Sequence, residues 1–421
     1  MPSNYKRLGD FIKEINVRNT NLKIDKLIGV SIEKKFISSV ANIIGTDMSV
    51  YKIINKNQLA CKLMSVGRDE KLPVDLYLSE EPAIISSAYY VFESKNYEIL
   101  LPEYLKMWLF RSETDRYVGY ISGGDVRGGI SWDTFCEMPI IIPSPEKQQE
   151  IVREYNTIQN RIGLNNELIN KLEETAQTIY RQWFVDFEFP NEDRKPYKSN
   201  GGIMVLCEEL EKEVPEGWEF KRLDDYINIA NGYAFTSSDF TIEKEIPVIK
   251  ISNINDFKVN LEDTQYSKLS KHLVKYKVQY GDILITLTGS HKTQINSAVG
   301  KVAMYNYKCD SYLNQRVSKI NSGFQSIIYQ LVKTEYFRDY LMNGATGSAN
   351  QANISPGLIK DYKVLYPTDI LLIKLDKVFS ILRSNILKTT EENQKLEELK
   401  YLLLAKMTRV ESEKETNYNK N

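Results

Sequence analysis

The sequence predicts an α+β protein built twice: two globular units separated by two long antiparallel helices, related by a pseudo-twofold internal repeat. The repeat is the first observation. Lys6-Arg7-Leu8-Gly9-Asp10-Phe11-Ile12 returns 215 residues later as Lys221-Arg222-Leu223-Asp224-Asp225-Tyr226-Ile227. Ile130-Ser131 and Pro143 return 224 residues later as Ile354-Ser355 and Pro367, so insertions of a few residues inside the half account for the difference. The second observation is that each of those prolines opens a long stretch almost free of Gly, Pro and turn clusters. The third is that β-rich runs and helix-like segments mix within each half.

In chain order, residues 1–146 form the first globular unit. Ala83 to Phe92 reads as strand and Pro102 to Arg111 as helix, without the regular alternation of a parallel sheet. Residues 147–184 form the first long helix. Ile151, Tyr155, Ile158, Ile162, Asn165, Ile169, Leu172, Ala176, Ile179 and Trp183 step by alternating fours and threes, a coiled-coil seam with one buried polar position. Such a helix is on the order of 55 Å long at 1.5 Å per residue, too long for the core of one small domain.

Residues 185–216 read as a linker, with Pro190 to Pro196, then Gly201-Gly202, then four basic and nine acidic residues over the whole stretch. Residues 217–367 repeat the globular plan, with strands at Ile246 to Ile251 and Asp282 to Thr288 and a helix at Ser326 to Met342. Residues 368–410 form the second long helix and 411–421 a polar tail. The offset of 224 places its seam at Leu375, Phe379, Leu382, Ile386, Thr389, Asn393, Leu396, Lys400, Leu403 and Met407. Extra apolar residues at Val378, Ile381, Leu399 and Leu402 predict a broader buried stripe. Laying the two helices antiparallel buries both stripes, with the globular units at opposite ends. The other arrangement is two unrelated amphipathic helices, each packed on its own unit.

Composition narrows the class. A chain of 421 residues holds two or three folded units. With 55 Lys+Arg against 56 Asp+Glu the net charge is −1, so long-range phosphate attraction is weak and any nucleic-acid contact is local. Met1 is followed by Pro-Ser-Asn-Tyr-Lys-Arg with no apolar leader, and no apolar run approaches a membrane span. Cys61, Cys136, Cys207 and Cys309 are scattered, which fits a reduced cytoplasm better than a disulfide framework or a structural zinc site. The 27 Tyr, with abundant Ile, Asn and Lys, offer stacking surfaces for bases, but the blander cause is a coding bias toward AT-rich codons.

A search for catalysis finds little. There is no Asp-Pro-Pro-Tyr or Asn-Pro-Pro-Tyr motif for base methylation and no Pro-Asp dipeptide to open a metal-nuclease motif. Thr288-Gly289-Ser290-His291-Lys292-Thr293 resembles the end of a phosphate loop, but Leu284 stands where the motif needs glycine. His272 and His291 lie in polar surroundings with no Ser/His/Asp arrangement.

The positive signals concern DNA. Gly123-Gly124-Asp125-Val126-Arg127-Gly128-Gly129 is a loop whose backbone can approach another molecule, with the Arg127 guanidinium at its centre suited to a guanine edge or a phosphate. Its counterpart Gly347-Ser348-Ala349-Asn350-Gln351-Ala352-Asn353 places Asn350 and Gln351, which pair with adenine in the major groove. Lys62, Arg68 and Lys71 flank Met64-Ser65-Val66-Gly67, and Ser290, His291 and Lys292 follow a strand in the second half. Tyr233 completes the candidate DNA-binding set. Flexible surface loops and ordinary hairpins fit these segments as well. The first globular unit holds 18 basic and 19 acidic residues, the second 18 and 14.

Taken together, Tyr180-Arg181-Gln182-Trp183-Phe184-Val185-Asp186-Phe187, Pro215-Glu216-Gly217-Trp218-Glu219, Gly281-Asp282-Ile283-Leu284 and Pro143-Ser144-Pro145-Glu146-Lys147-Gln148-Gln149-Glu150-Ile151, in this order, resemble the DNA-specificity subunit of type I restriction-modification systems over nearly the whole chain. The resemblance implies two target-recognition domains (1–146 and 217–367) reading the halves of a split double-stranded DNA target. It implies spacer helices that dock two methyltransferase subunits, with restriction/translocase subunits in the same complex. It also implies a non-catalytic chain, with S-adenosylmethionine, ATP and Mg belonging to the partners. Ile151, Ile158, Ile162, Leu172, Ile179, Trp183, Leu382, Ile386, Leu396 and Leu403 are the expected helix-pairing and docking residues. Tyr366-Pro367-Thr368-Asp369-Ile370-Leu371-Leu372 departs from the family in lacking its Gln-containing helix start. The alternative function is a protein-interaction scaffold, an orphan specificity subunit that no longer directs modification; a self-contained enzyme would need a catalytic constellation that the sequence does not offer.

Overall fold

The structure is a computed structural model, and it describes residues 4–38, 46–123, 128–255, 257–290, 297–348 and 351–407. It divides into two compact units, one of residues 1–163 with 395–421 and one of residues 164–394. Each contains a globular part and a segment of both long helices.

In the first unit, strands Ile12–Ile15, Tyr90–Ser94, Leu59–Cys61 and Val74–Leu76 lie side by side in that order. A second sheet orders Phe36–Ser38, Leu27–Val30, Ala83–Ile85 and Lys52–Ile54, with Leu27–Val30 and Ala83–Ile85 parallel. Side chains alternate across a strand, and the first sheet uses both faces. Ala60 and Val91 join Ile28, Ile54 and Ile85 of the second sheet, whereas Leu59, Cys61 and Phe92 face the helical side with Tyr104, Trp108 and Phe135.

The second unit repeats these ladders and extends them, with Phe257–Val259 and Ile254–Asn255 added to the first sheet and Phe240–Thr241 to the second. Ile227–Asn231, Val317–Ser322, Ile283–Thr286 and Val302–Met304 take the same order, and the parallel pair recurs as Ile246–Ile249 with Ser311–Leu313. Ile12 opposite Ser94 becomes Ile227 opposite Ser322, and Leu59 opposite Phe92 becomes Ile283 opposite Ile320. Arg7 pairs with Glu137 and Arg222 with Asp361 at corresponding sites. Leu284 takes the place of Ala60 between the sheets. The helix expected over Ser326 to Met342 is two helices, Gln325–Val332 and Glu335–Gly344. Thr334 causes the break: its Oγ1 accepts from the Phe337 amide at 3.3 Å, the cap of a new helix.

The long helices run over Pro145–Phe184 and Asp369–Lys406. In the second unit they are antiparallel, since Asn165 meets Asn393 while Trp183 meets Phe379. In the first unit Ile151 and Tyr155 share a cluster with Leu404 and Met407. Along the predicted seam Ile151, Ile162, Asn165, Ile169 and Ala176 are buried, as are Leu375, Phe379, Ile386 and Met407. Ile158, Leu172, Leu382, Leu396 and Leu403 are half-buried.

Two expectations need correction. At the end of the first helix the buried face moves by one residue, to Tyr180 and Phe184, leaving Ile179 and Trp183 half-buried. A straight helix drifts from a 3.5-residue repeat by about 20° per heptad, and here the drift carries it onto Phe379, Trp218 and Tyr366. The broader stripe of the second helix does not form, because Val378, Ile381, Leu399 and Leu402 remain 37 to 63 % exposed on faces the neighbouring helix does not cover.

Residues 185–216, read as a linker, are folded within the second unit. Met204–Cys207 and Lys212–Pro215 form a hairpin, and Phe187, Phe189 and Val214 enter the core around Trp218. Aromatic rings packed edge-on, tilted and stacked outweigh the Pro, Gly and acidic residues that marked the stretch as a linker. The 411–421 tail lies outside the described residues.

Candidate nucleic-acid interface

In each unit the structure brings together the two segments that the sequence singled out. In the first unit the Gly67 amide donates to the Gly128 carbonyl at 2.9 Å and the Ile130 amide to the Leu63 carbonyl at 3.0 Å. These bonds seat the end of the Gly-rich loop on the Lys62–Lys71 segment. The approach requires glycine at position 129, where a Cβ would stand 2.8 Å from the Leu63 carbonyl oxygen. In the second unit Thr288–Ser290 pairs antiparallel with Gln351–Asn353, placing Ser290 opposite Gln351. The Ile354 amide donates to the Leu287 carbonyl at 2.9 Å, the Ile130–Leu63 bond repeated 224 residues on.

The individual candidates differ in availability. Lys62 is half-buried and Lys71 exposed. Arg68 is exposed but engaged: Nε donates to Asp69 Oδ1 at 2.8 Å and Nη2 to Oδ2 at 3.3 Å. The Arg68 guanidinium and the Ser65 hydroxyl hold the Asp69 carboxyl below the ordinary carboxylate value. Gln351 is exposed, and its Nε2 donates to Asn353 Oδ1 at 3.1 Å. Tyr233 is packed among Phe235, Tyr276 and His272, with ring centroids 5.0, 5.3 and 5.9 Å away, so its ring is committed to a cluster. Arg127, His291, Lys292 and Asn350 lie outside the described residues.

One further turn lies beside these segments. Asn314-Gln315-Arg316-Val317 sits against Tyr233, with the Gln315 amide donating to the Tyr233 carbonyl at 2.8 Å. Gln315 and Arg316 are exposed. No local motif marks them; only superposing the two halves reveals them.

Among the described residues no group of His, Cys, Asp and Glu converges as a metal site, and the four cysteines are free. No helix among them is long and apolar enough to cross a membrane.

Large apolar side chains stay exposed on the long helices. In the second unit these are Leu164 and Leu168 on the first helix and Ile370, Ile373 and Ile381 on the second; in the first unit they are Leu399 and Leu402.

Comparison with known proteins agrees with this architecture. Residues 74–174 and 215–401 match the model of the type I restriction modification DNA specificity domain. The HindI specificity subunit of Haemophilus influenzae is 24 % identical, the match covering 90 % of this chain and 92 % of that protein. The MjaIX specificity subunit of Methanocaldococcus jannaschii is 32 % identical over 158 residues, 37 % of this chain and 34 % of that protein. Among solved structures, the type I restriction-modification S subunit from M. genitalium superposes with a TM-score of 0.51 at 13 % identity, covering 96 % of this chain and 95 % of that one, a likeness of fold.

Proposed function

The chain belongs to the type I restriction-modification DNA-specificity family, and on that premise we propose that its two globular parts each read one half of a split double-stranded DNA target while its long helices dock the partner subunits. As a specificity subunit it serves DNA target recognition and is a non-catalytic component of its complex. The observation that carries the proposal is the duplicated pair of loop segments, closed in both halves by the same backbone bond, Ile130 to Leu63 and Ile354 to Leu287. Loops held on rigid ladders suit base readout, since a base contact needs a fixed reach into the groove.

The docking surface we assign lies on the helices, unit by unit: Leu164, Leu168, Ile370, Ile373 and Ile381 in the second unit and, separately, Leu399 and Leu402 in the first. Leu164 with Leu168, Ile370 with Ile373, and Leu399 with Leu402 are three or four residues apart, so each pair shares one helix face, and apolar side chains gathered on an exposed face suit protein contact. The partners we assign to it are two methyltransferase subunits, with restriction/translocase subunits joining the complex. S-adenosylmethionine, ATP and Mg would belong to those partners. The free cysteines support a cytoplasmic location.

The test is to express the chain with its methyltransferase subunit and map methylated bases in the host genome with and without this gene. The expected result is one bipartite sequence methylated only when the chain is present. Co-purification with the methyltransferase without sequence-directed methylation would favour the scaffold function instead.

A further inference from the structure

The turn carrying Arg316 exists in both halves. Val317 donates its amide to the Asn314 carbonyl at 2.9 Å, and Tyr89 to the Ser86 carbonyl at 3.0 Å. The Arg316 amide donates to Asn314 Oδ1 at 3.3 Å, and the Ala88 amide to Ser86 Oγ at 3.4 Å. Both turns leave the strand that runs parallel to its neighbour, Leu313 beside Ile249 and Ile85 beside Ile28. Position 316 therefore corresponds to position 88. The first half builds this turn with Ser87 and Ala88, so the fold needs neither a long side chain nor a charge there. An exposed arginine at the same place in the second half has a purpose other than folding.

Its surroundings define that purpose. Arg316 borders a concavity of about 280 Å³ lined also by Thr288, Gly289, Ser290 and Gln351, with no acidic residue in the lining. Among the described residues no carboxylate pairs with the guanidinium. Thr288 Oγ1 is buried without a hydrogen-bond partner, a hydroxyl awaiting an acceptor. A guanidinium with five N–H donors beside hydroxyl groups selects a ligand made of acceptors and carrying negative charge. We infer that Arg316, with Thr288 and Ser290, forms an anion subsite for a phosphodiester of the DNA backbone, a contact that fixes register rather than reads a base. A phosphodiester offers two charged acceptor oxygens, and the subsite adjoins the Ser290–Gln351 ladder proposed to face the groove. The inference rests on the DNA-reading function proposed above.

The experiment uses the full chain in complex with its methyltransferase subunit. Binding is measured across a salt series to a duplex carrying the methylated sequence and to an unrelated duplex. The variants are Arg316→Ala, which restores the residue type of the first half, and Arg316→Lys. The expected result for Arg316→Ala is a loss of roughly tenfold on both duplexes, with the slope of log affinity against log salt shallower by about one. The methylated sequence stays the same, and Arg316→Lys recovers most of the slope. A change at one base pair of the methylated sequence would make Arg316 a base reader and overturn the inference, as would unchanged affinity and slope. If the wild-type complex shows no sequence preference, the DNA-reading function fails by itself, while the slope on unrelated DNA still tests the arginine.

Discussion

Gln148 in one half and Asp376 in the other hold the start of the same helix from positions one helical turn apart. Gln148 is fully buried. Its Oε1 accepts from the Leu101 amide at 2.9 Å, at the start of helix Pro102–Phe110, and its Nε2 donates to the Ile99 and Pro143 carbonyls at 2.7 and 2.9 Å. Shifted by 224, this position is Leu372, which joins the core of the second unit. Asp376, four residues further on, accepts from the Ser326 and Ile327 amides at 3.1 and 2.9 Å, at the start of helix Gln325–Val332. The second half therefore does without the glutamine of the family pattern: Asp376 meets unsatisfied amides at the start of the corresponding helix, the second and third of its turn rather than the one before it.

This exchange makes the second unit titratable where the first is not. Burial raises the Asp376 carboxyl above its ordinary value of 3.8, against the two amides that favour its charged form. A carboxyl raised by folding binds its proton more tightly in the folded chain, so stability falls as pH rises from 3.8 to the raised value and is level beyond it. Asp376→Asn keeps an acceptor for both amides and removes that slope. Urea unfolding of the full chain across the acid range measures it, and a variant with the wild-type slope refutes the assignment. Asp376→Leu and Gln148→Leu each strand buried amides and are expected to cost about 1–3 kcal/mol.

Asn165 and Asn393 form the polar contact of the helix pair in the second unit. Asn165 Nδ2 donates to Asn393 Oδ1 at 2.9 Å, and Asn393 Nδ2 to Asn166 Oδ1 at 3.0 Å. A buried asparagine in such a seam fixes register because no other alignment satisfies both amides. A double-mutant cycle with Asn165→Ala and Asn393→Ala is expected to give a coupling of about 1 kcal/mol. Additive single effects would show that the bond adds no stability. Replacing both by Leu is expected to raise the melting temperature while broadening the NMR signals of the helices, as alternative registers become accessible.

How much of this was legible follows from the spacing of its signals. The seam and the single polar position were visible because a long helix repeats its burial pattern many times. The repeat was visible only where ladder ends and caps demand particular residues, such as Leu8 and Leu223 or Ser131 and Ser355. In the strands between them the repeat was not visible, because short strands buried on both faces accept almost any apolar side chain, and the offset changes to 228 in part of them, as from Leu76 to Met304. Arg316 escaped for the same reason: aligned at 224 it has no counterpart of interest, and only the ladder shows that it replaces Ala88. The folded stretch 185–216 escaped because its order comes from Phe187, Phe189 and Trp218 meeting one another, a contact that no local pattern announces.

Arg68 offers a test of the DNA face proposed for the first unit. Asp69 neutralises it with two hydrogen bonds and, held below the ordinary carboxylate value, keeps its charge through the range where DNA is bound. Acidification therefore does not release the arginine, whereas Asp69→Asn does. In the methyltransferase complex this variant is expected to bind all duplexes more tightly, with the salt slope steeper by about one. Unchanged binding would place Arg68 away from the DNA.

The helices supply the measure of distance in the proposed function. Removing seven residues from each, 156–162 and 396–402, leaves Asn165 and Asn393 in place and preserves the seam because the seam repeats every seven residues. It shortens each helix by about 10 Å at 1.5 Å per residue, which corresponds to roughly three base pairs at 3.4 Å each. The two half-sites, assigned in the proposed function to loops that the deletion does not touch, are expected to stay the same while the gap between them shrinks by that amount. Three base pairs also turn one half-site by roughly 100° around the duplex, so methylation is expected to slow as the complex twists to meet both. Mapping the methylated sequence reads half-sites and gap together. An unaltered gap with unaltered half-sites would mean that something other than helix length sets the separation.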